Sequence, residues 1–379
     1  MKNNQILLMF HCQQSTGYAI GVLEKVFFDA AKLAGYTEEN IFWSFSRVVN
    51  AECNIIECEY KNTAHIKQLE KFLSSHKIVT VLAFDLGYPA PIIGVLKKHK
   101  VKIVSYWGAS MSSLNSGLKL LIKKLEWFLR KNTPDYFVFE SIAMQLTATH
   151  GRGVPKGNTE VIALGVDTER FYPAYENYFY AHERLQISKN KKIIFYSGHM
   201  EERKGVHIIV HAAVKLFDQD PKLPVHFVIC GNKDGEETKF LNMLKDTSAQ
   251  QHVTFAGYRT DIEHLMRSSC IGVIASTGWD SFTMSSVEMM SSGLPLIVSN
   301  LQGLAETIAN GVNGFHITPG SSDMLAERIL QLCNDDQLRR NFSNQSRERV
   351  FNYFSRQIQV ELMAKTITKL SGLTNPKPM

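Results

Sequence analysis

The chain has no Cys-x-x-Cys pair. Its six cysteines, at positions 12, 53, 58, 230, 270 and 333, are scattered through 379 residues. A disulfide scaffold would be far denser, and a structural zinc site would need paired ligands at short spacing. Long apolar runs are missing too. The amino-terminal MKNNQILLMFHCQQ carries a short apolar run from Ile6 to Phe10. That is less than the core of a signal peptide and far less than the ~20 residues that span a bilayer. The cysteines therefore read as reduced thiols and the protein as cytoplasmic. A formal charge of +6 is mild, and no basic tail or aromatic-interleaved basic tract points to nucleic acid.

What is present is ordinary globular composition, 44% apolar and 21% charged, in a length that suggests two domains at roughly 100–200 residues each. Non-alternating apolar runs recur in the second half: KIIFYS (192–197), VHFVIC (225–230), VTFA (253–256), IGVIAS (271–276) and LIVS (296–299). Helical spacing separates them, as in VHIIVHAAVKLF (206–217). Strands buried on both faces, alternating with helices, predict a parallel, doubly wound α/β sheet. The first half repeats the rhythm with ILLMF, KIVTVLAF, KIVSY and DYFVFE. The expected organisation is one Rossmann-like domain over 1–165, rejoined by a carboxyl-terminal helix at about 355–379, and a second over 166–354. LGVDTERFYP (164–173) connects them. Two such domains facing each other would place their ligand-binding strand ends across one cleft.

The chemistry concentrates in GWDSFTMSSVEMMSSGLPLIVS (278–299). With IGVIAS as a strand and Met284 to Ser291 as a helix, Asp280 and Ser281 lie in the loop between them. Glu288 falls about two turns further on. Loop N–H groups and the helix start suit a phosphate. Upstream, Lys204 opens another helix as a point charge for the same purpose. A ligand with a diphosphate in the middle and hydroxyls at both ends fits, and a nucleotide sugar is one. Taken alone, a loop acid and a helix acid are commonplace.

The order of the pieces is more specific. Gly165, Val166, Asp167, Phe171 and Pro173 are followed by Gly198, His199, Lys204 and Gly205. After these come Asp280, Phe282, Thr283 and Glu288, then Gly293 and Pro295, then Gly303 and Glu306. Over roughly 161–335 this resembles the retaining glycosyltransferases of family 4, which have the two-domain GT-B fold. The resemblance implies that Glu288 holds the donor ribose and Lys204 the diphosphate. It implies that Asp280 meets donor sugar hydroxyls, with Ser281 and the backbone N–H groups of Phe282 and Thr283 beside it. The turn Gly257, Tyr258, Arg259 would border the base, and Glu306 would lie toward the ribose or phosphate. Lys204, Asp280 and Glu288 are the candidate catalytic set.

Three departures stand out. Asp280 is one methylene shorter than the family's Glu, Thr283 replaces a Gly, and His199 replaces an Arg that grips the diphosphate. His199 is then either a neutral donor or a solvent-facing loop residue, with Arg203 or Lys204 supplying charge. In the first domain Gly17 stands where the family has a glycine-rich turn. The family's histidine near the donor sugar is missing from SYWGAS (105–110), where Trp107 or Gly108 stands, so that role is unfilled or is taken by main chain or by another histidine such as His11.

No metal site and no cofactor beyond the nucleotide-sugar co-substrate is expected. Asp218-Gln219-Asp220 matches the D-x-D of metal-dependent transferases but reads as a solvated turn. The acceptor is expected to be a glycan or lipid-linked saccharide. A nucleotide-sugar epimerase and an inactive binding protein of the same fold are the rival readings. Residues 81–131 hold nine Lys/Arg against two Asp/Glu, including a basic amphipathic stretch from Leu118 to Lys131. This stretch either packs its apolar stripe on the domain's own sheet or lies peripherally on an anionic membrane.

Overall fold

The computed structural model describes residues 4–50, 54–174 and 178–372. Cys53 and the 373–379 end of the expected terminal helix lie outside them. The described residues form two compact units, divided after Ala163 and again before Arg356.

The first unit holds seven parallel strands: β1 (Gln5–Met9), β2 (Ile41–Phe45), β3 (Ile55–Glu57), β4 (Ile78–Phe84), β5 (Lys102–Trp107), β6 (Tyr136–Phe139) and β7 (Thr159–Val161). Their order is β3-β2-β1-β4-β5-β6-β7. The second unit repeats the winding with β8 (Lys192–Ser197), β9 (Val225–Cys230), β10 (Val253–Gly257), β11 (Ile271–Ile274), β12 (Leu296–Ser299) and β13 (Gly314–Ile317), ordered β10-β9-β8-β11-β12-β13. Central strands such as β6, β9 and β11 are buried at every position, which is why their sequences run apolar instead of alternating. In each sheet the order reverses between the first and fourth strands, so the connections leaving those two strands diverge. Ligands of doubly wound sheets bind at that point, outside the carboxyl ends.

The segment 164–173 is wired into the second unit. Phe171 is fully buried. Arg347 donates to the carbonyls of Phe171 and Ser291 at 2.7 and 2.6 Å. A β-carbon on Gly293 would press on Pro173. The carboxyl-terminal helix expected from about 355 begins at Arg356, after a change of winding. Val350–Phe354 is a wide π turn ending at Ser355, which is extended (φ −74°, ψ 147°). Ser355 bridges to Val166, whose N–H donates to Phe354 O at 2.8 Å. The helix Arg356–Ser371 then starts afresh and buries Met363, Ala364 and Ile367 in the first unit's core.

The helix Gly117–Leu129 buries none of its residues. The expectation that its apolar stripe packs on the domain's own sheet is therefore not met.

Candidate functional site

Glycine geometry builds the loop after β8. Gly205 sits at φ 71°, and a β-carbon there would overlap the Ala275 carbonyl oxygen just beyond β11. Gly198 and Gly231 approach each other so closely that a side chain on Gly231 would collide with the Gly198 carbonyl. The loops after β8, β9 and β11 are thereby drawn together. The N–H groups of Thr277 and Gly278 donate to Arg203 O at 2.8 and 3.2 Å, which zips the β8 loop to the β11 loop.

Lys204 closes the single turn Glu202–Lys204 and projects onto Asp280. Its Nζ lies 3.1 Å from Oδ1 and 3.0 Å from Oδ2. Ser276 Oγ donates to Oδ2 at 2.7 Å and Thr283 Oγ1 to Oδ1 at 3.2 Å. Asp280 is 4% exposed and Lys204 14%. An ionised carboxylate accepts about four hydrogen bonds, so this one is saturated. Its shortness is the reason. One methylene less than Glu keeps the carboxylate against Ser276 and the lysine. The expected contact with sugar hydroxyls would have to displace a bond already made.

Thr283 is the residue before the helix Met284–Ser291, in extended conformation. Phe282 is buried edge-on against Phe354, ring centroids 5.5 Å apart, which fixes the loop just before the helix start. Ser281 is half-buried. Glu288 lies on the helix and is buried.

The remaining candidates sit at different places. His199 faces solvent, 76% exposed, with Nδ1 3.7 Å from Glu201 Oε1. Its backbone carbonyl accepts from the buried Tyr196 hydroxyl at 2.8 Å. Arg203 pairs with Glu201 at 2.7 Å and donates to Trp279 O at 3.0 Å. Gly257 (φ 72°) takes Asn232 Oδ1 on its N–H at 2.9 Å. Tyr258 beside it is exposed. The Arg259 guanidinium is turned to Asp261, whose carboxyl its hydrogen bonds hold down to about 2. Glu306 ends the helix Gln302–Glu306, half-buried, its carbonyl accepting from Arg349 at 3.0 Å. Gly17 starts the helix Gly17–Leu33 at φ 72°, in open space. Asp218 and Asp220 precede β9, at the amino end of the strands and so opposite the end that carries Lys204, and Asp220 closes a turn by accepting from Lys222 N at 2.9 Å. Among the described residues, no group of three His, Cys, Asp or Glu side chains is disposed to hold a metal ion. An open cavity lined by Met200, Glu201, Gly235 and Lys239 lies beside the β8 loop. Neither Lys204 nor Asp280 lines it.

The strand ends of the first unit hold a cluster that motif reading missed. Asp85 follows β4 in the left-handed region (φ 49°) and accepts from Gly108 N at 2.8 Å. Glu140 follows β6, buried, and accepts from the Tyr106 hydroxyl at 3.3 Å. Burial pushes Glu140 up to about 8, with Asp85 adding to the rise, and burial raises Asp85 as well. His11 stacks on Phe84 at 5.2 Å beside them. Trp107 is half-buried, and Gly108 packs against Phe84. Each acid sits singly at the end of an apolar strand, so no spacing in the sequence betrays the cluster.

Residues 180–349 match the protein family described as Glycosyl transferases group 1. The chain is 27% identical to the D-inositol 3-phosphate glycosyltransferase of Corynebacterium urealyticum over 54% of its length and 50% of that protein. It is 24% identical to the UDP-Gal:alpha-D-GlcNAc-diphosphoundecaprenol alpha-1,3-galactosyltransferase of Escherichia coli over 78% of each. The chain spans about half the length of most curated relatives it matches. A Rickettsia africae glycosyltransferase superposes with a TM-score of 0.79 at 18% identity, covering 97% of this chain and 99% of that one. An Anabaena protein crystallised with UDP gives 0.74 at 18%, covering 96% and 100%. The fold is thus the GT-B architecture of two Rossmann-like domains.

Proposed function

We propose that the chain is a glycosyltransferase that takes a nucleotide-diphosphate sugar as donor and a glycan or lipid-linked saccharide as acceptor. In this reading it retains the anomeric configuration and uses no metal. The observation that carries the proposal is the Lys204–Asp280 node. A largely shielded ammonium is held between the loops after β8 and β11, the two strands at the switch point, close to the start of the helix on which Glu288 lies one turn further along.

That arrangement suits a departing diphosphate. The acceptor hydroxyl oxygen bonds to the anomeric carbon as the bond from that carbon to the phosphate oxygen breaks. The diphosphate leaves with the electron pair, and the hydroxyl proton passes to a phosphate oxygen. Charge grows on the leaving group, and a preorganised cation with backbone N–H groups stabilises it most where water is excluded. Asp280 then acts as a positioning residue that aims Lys204, with Thr283 and Ser276 holding the carboxylate. Glu288 takes the ribose hydroxyls. The Escherichia coli relative is named for a UDP-galactose donor and a diphosphoundecaprenol-linked acceptor, and the Anabaena structure holds UDP. The first supports a uridine nucleotide and a lipid-linked acceptor here, and the second supports the uridine nucleotide alone.

Incubation with a panel of nucleotide sugars, with and without cell-derived acceptors, tests the reading. A transferase releases nucleoside diphosphate faster when acceptor is present. Conversion of the donor sugar without acceptor would make it an epimerase instead. Nucleotide binding with no turnover would leave a binding protein.

A further inference from the structure

The helix Gly117–Leu129 turns its apolar side outward. Leu118, Leu121, Ile122, Leu125, Phe128 and Leu129 are 73, 63, 48, 59, 83 and 70% exposed. At about 100° per residue these six fall within an arc of about 120°. The opposite side rests on the first unit. Trp127 packs edge-on against Tyr88 at 5.2 Å and against Phe137 at 5.8 Å. Gly153 approaches the Lys123 backbone so closely that a side chain there would collide. The helix is anchored, and what it presents to solvent is leucine, isoleucine and phenylalanine. A contiguous exposed apolar face of this kind marks an interaction surface.

Charge identifies the partner. Lys119 and Lys124 flank the apolar arc on its two sides, both exposed and without an ion pair among the described residues. Three other cations of the region are engaged: Lys97 with Asp135 at 2.7 Å, Lys98 with Glu70 at 2.6 Å, and Lys123 with Glu126 at 2.9 Å. An apolar stripe bordered by lysines matches a bilayer with anionic headgroups, the apolar side chains entering the acyl boundary while the ammonium groups stay at headgroup level. A second copy of the chain fits less well, because the two-fold contact would bring lysines toward lysines around the same stripe. Among the described residues no helix is long and apolar enough to cross a membrane, so contact by this helix is interfacial.

We propose that the face formed by Leu118, Leu121, Leu125 and Phe128 with Lys119 and Lys124 docks the protein on an anionic lipid surface. This inference does not depend on the transferase reading, since docking needs neither donor nor turnover.

Flotation of the full chain with vesicles tests it. The chain is expected to float with phosphatidylglycerol-containing vesicles and at least tenfold less with pure phosphatidylcholine. Leu125→Ser with Phe128→Ser is expected to abolish flotation. Lys119→Glu with Lys124→Glu should erase the preference for anionic lipid. All four side chains are exposed, so the thermal midpoint should hold. The lysine pair, which supports no packing, keeps the test valid if the apolar pair misfolds. Absence of flotation by the wild type, or flotation unchanged in both variants, overturns the proposal. So does a wild-type dimer that ignores vesicles and is split by the apolar variant.

Discussion

Lys204 Nζ stands 3.0 Å from Asp280 Oδ2, and both side chains are largely withdrawn from water. Separating a buried pair by deleting one partner strands the other charge, which costs about 3–5 kcal/mol. Asp280→Ala should therefore lower unfolding free energy by about that much in denaturant titration. Asp280→Asn keeps a hydrogen-bond acceptor and should cost less. If Asp280 positions the lysine, both variants lose donor turnover by a larger factor than they lose nucleotide affinity. Equal losses would make its role purely structural.

Glu288→Gln should weaken nucleotide binding more than Asp280→Asn does. Hydrogen bonds from ribose hydroxyls to a carboxylate contribute roughly 1.5–3 kcal/mol each. Calorimetric titration with the nucleoside diphosphate measures this directly. Unchanged affinity in Glu288→Gln would remove that residue from the site.

The Glu140 carboxyl has a stability signature. Its folded value near 8 lies above the ordinary carboxylate range because the group is buried. Between about 4.5 and 8 the folded state holds a proton that the unfolded state has lost. Stability accordingly falls as pH rises through that window, by up to about 1.4 kcal/mol per unit. Glu140→Gln should flatten this slope in thermal unfolding followed from pH 5 to pH 8.5. A slope identical to wild type would mean that Glu140 ionises normally.

Turnover should survive EDTA, because Lys204 and the backbone N–H groups of the β11 loop supply the positive potential. Loss of activity in EDTA that manganese restores would contradict this and return attention to Asp218 and Asp220.

Much of this arrangement was legible in the sequence because it is local. The runs 192–197, 225–230 and 296–299 coincide with β8, β9 and β12 to the residue, since strands buried on both faces announce themselves without partners. Met284–Ser291 was readable for the same reason. Tertiary wiring was not. Nothing in the spacing of Lys204 and Asp280 says that a 76-residue separation closes to an ion pair, or that Ser276 and Thr283 take up the carboxylate's remaining lone pairs. Ser355 separates the π turn from the terminal helix and bridges to Val166, and such a contact has no local signal. Helical periodicity identified the apolar stripe of Gly117–Leu129. Which side of that helix the body covers depends on Trp127 and Gly153, and only the fold reveals it.

Transfer with retention from a donor held by Lys204 is the central step of the proposed reaction. Proton NMR of the anomeric signals during reaction of an α-linked nucleotide sugar with acceptor measures this most directly. Expected are an α-linked product, nucleoside diphosphate formed in step with it, and a loss of at least about a hundredfold in Lys204→Ala, about 2.7 kcal/mol of transition-state stabilisation. A β-linked product, or a Lys204→Ala enzyme as fast as the wild type, would contradict the proposed reaction.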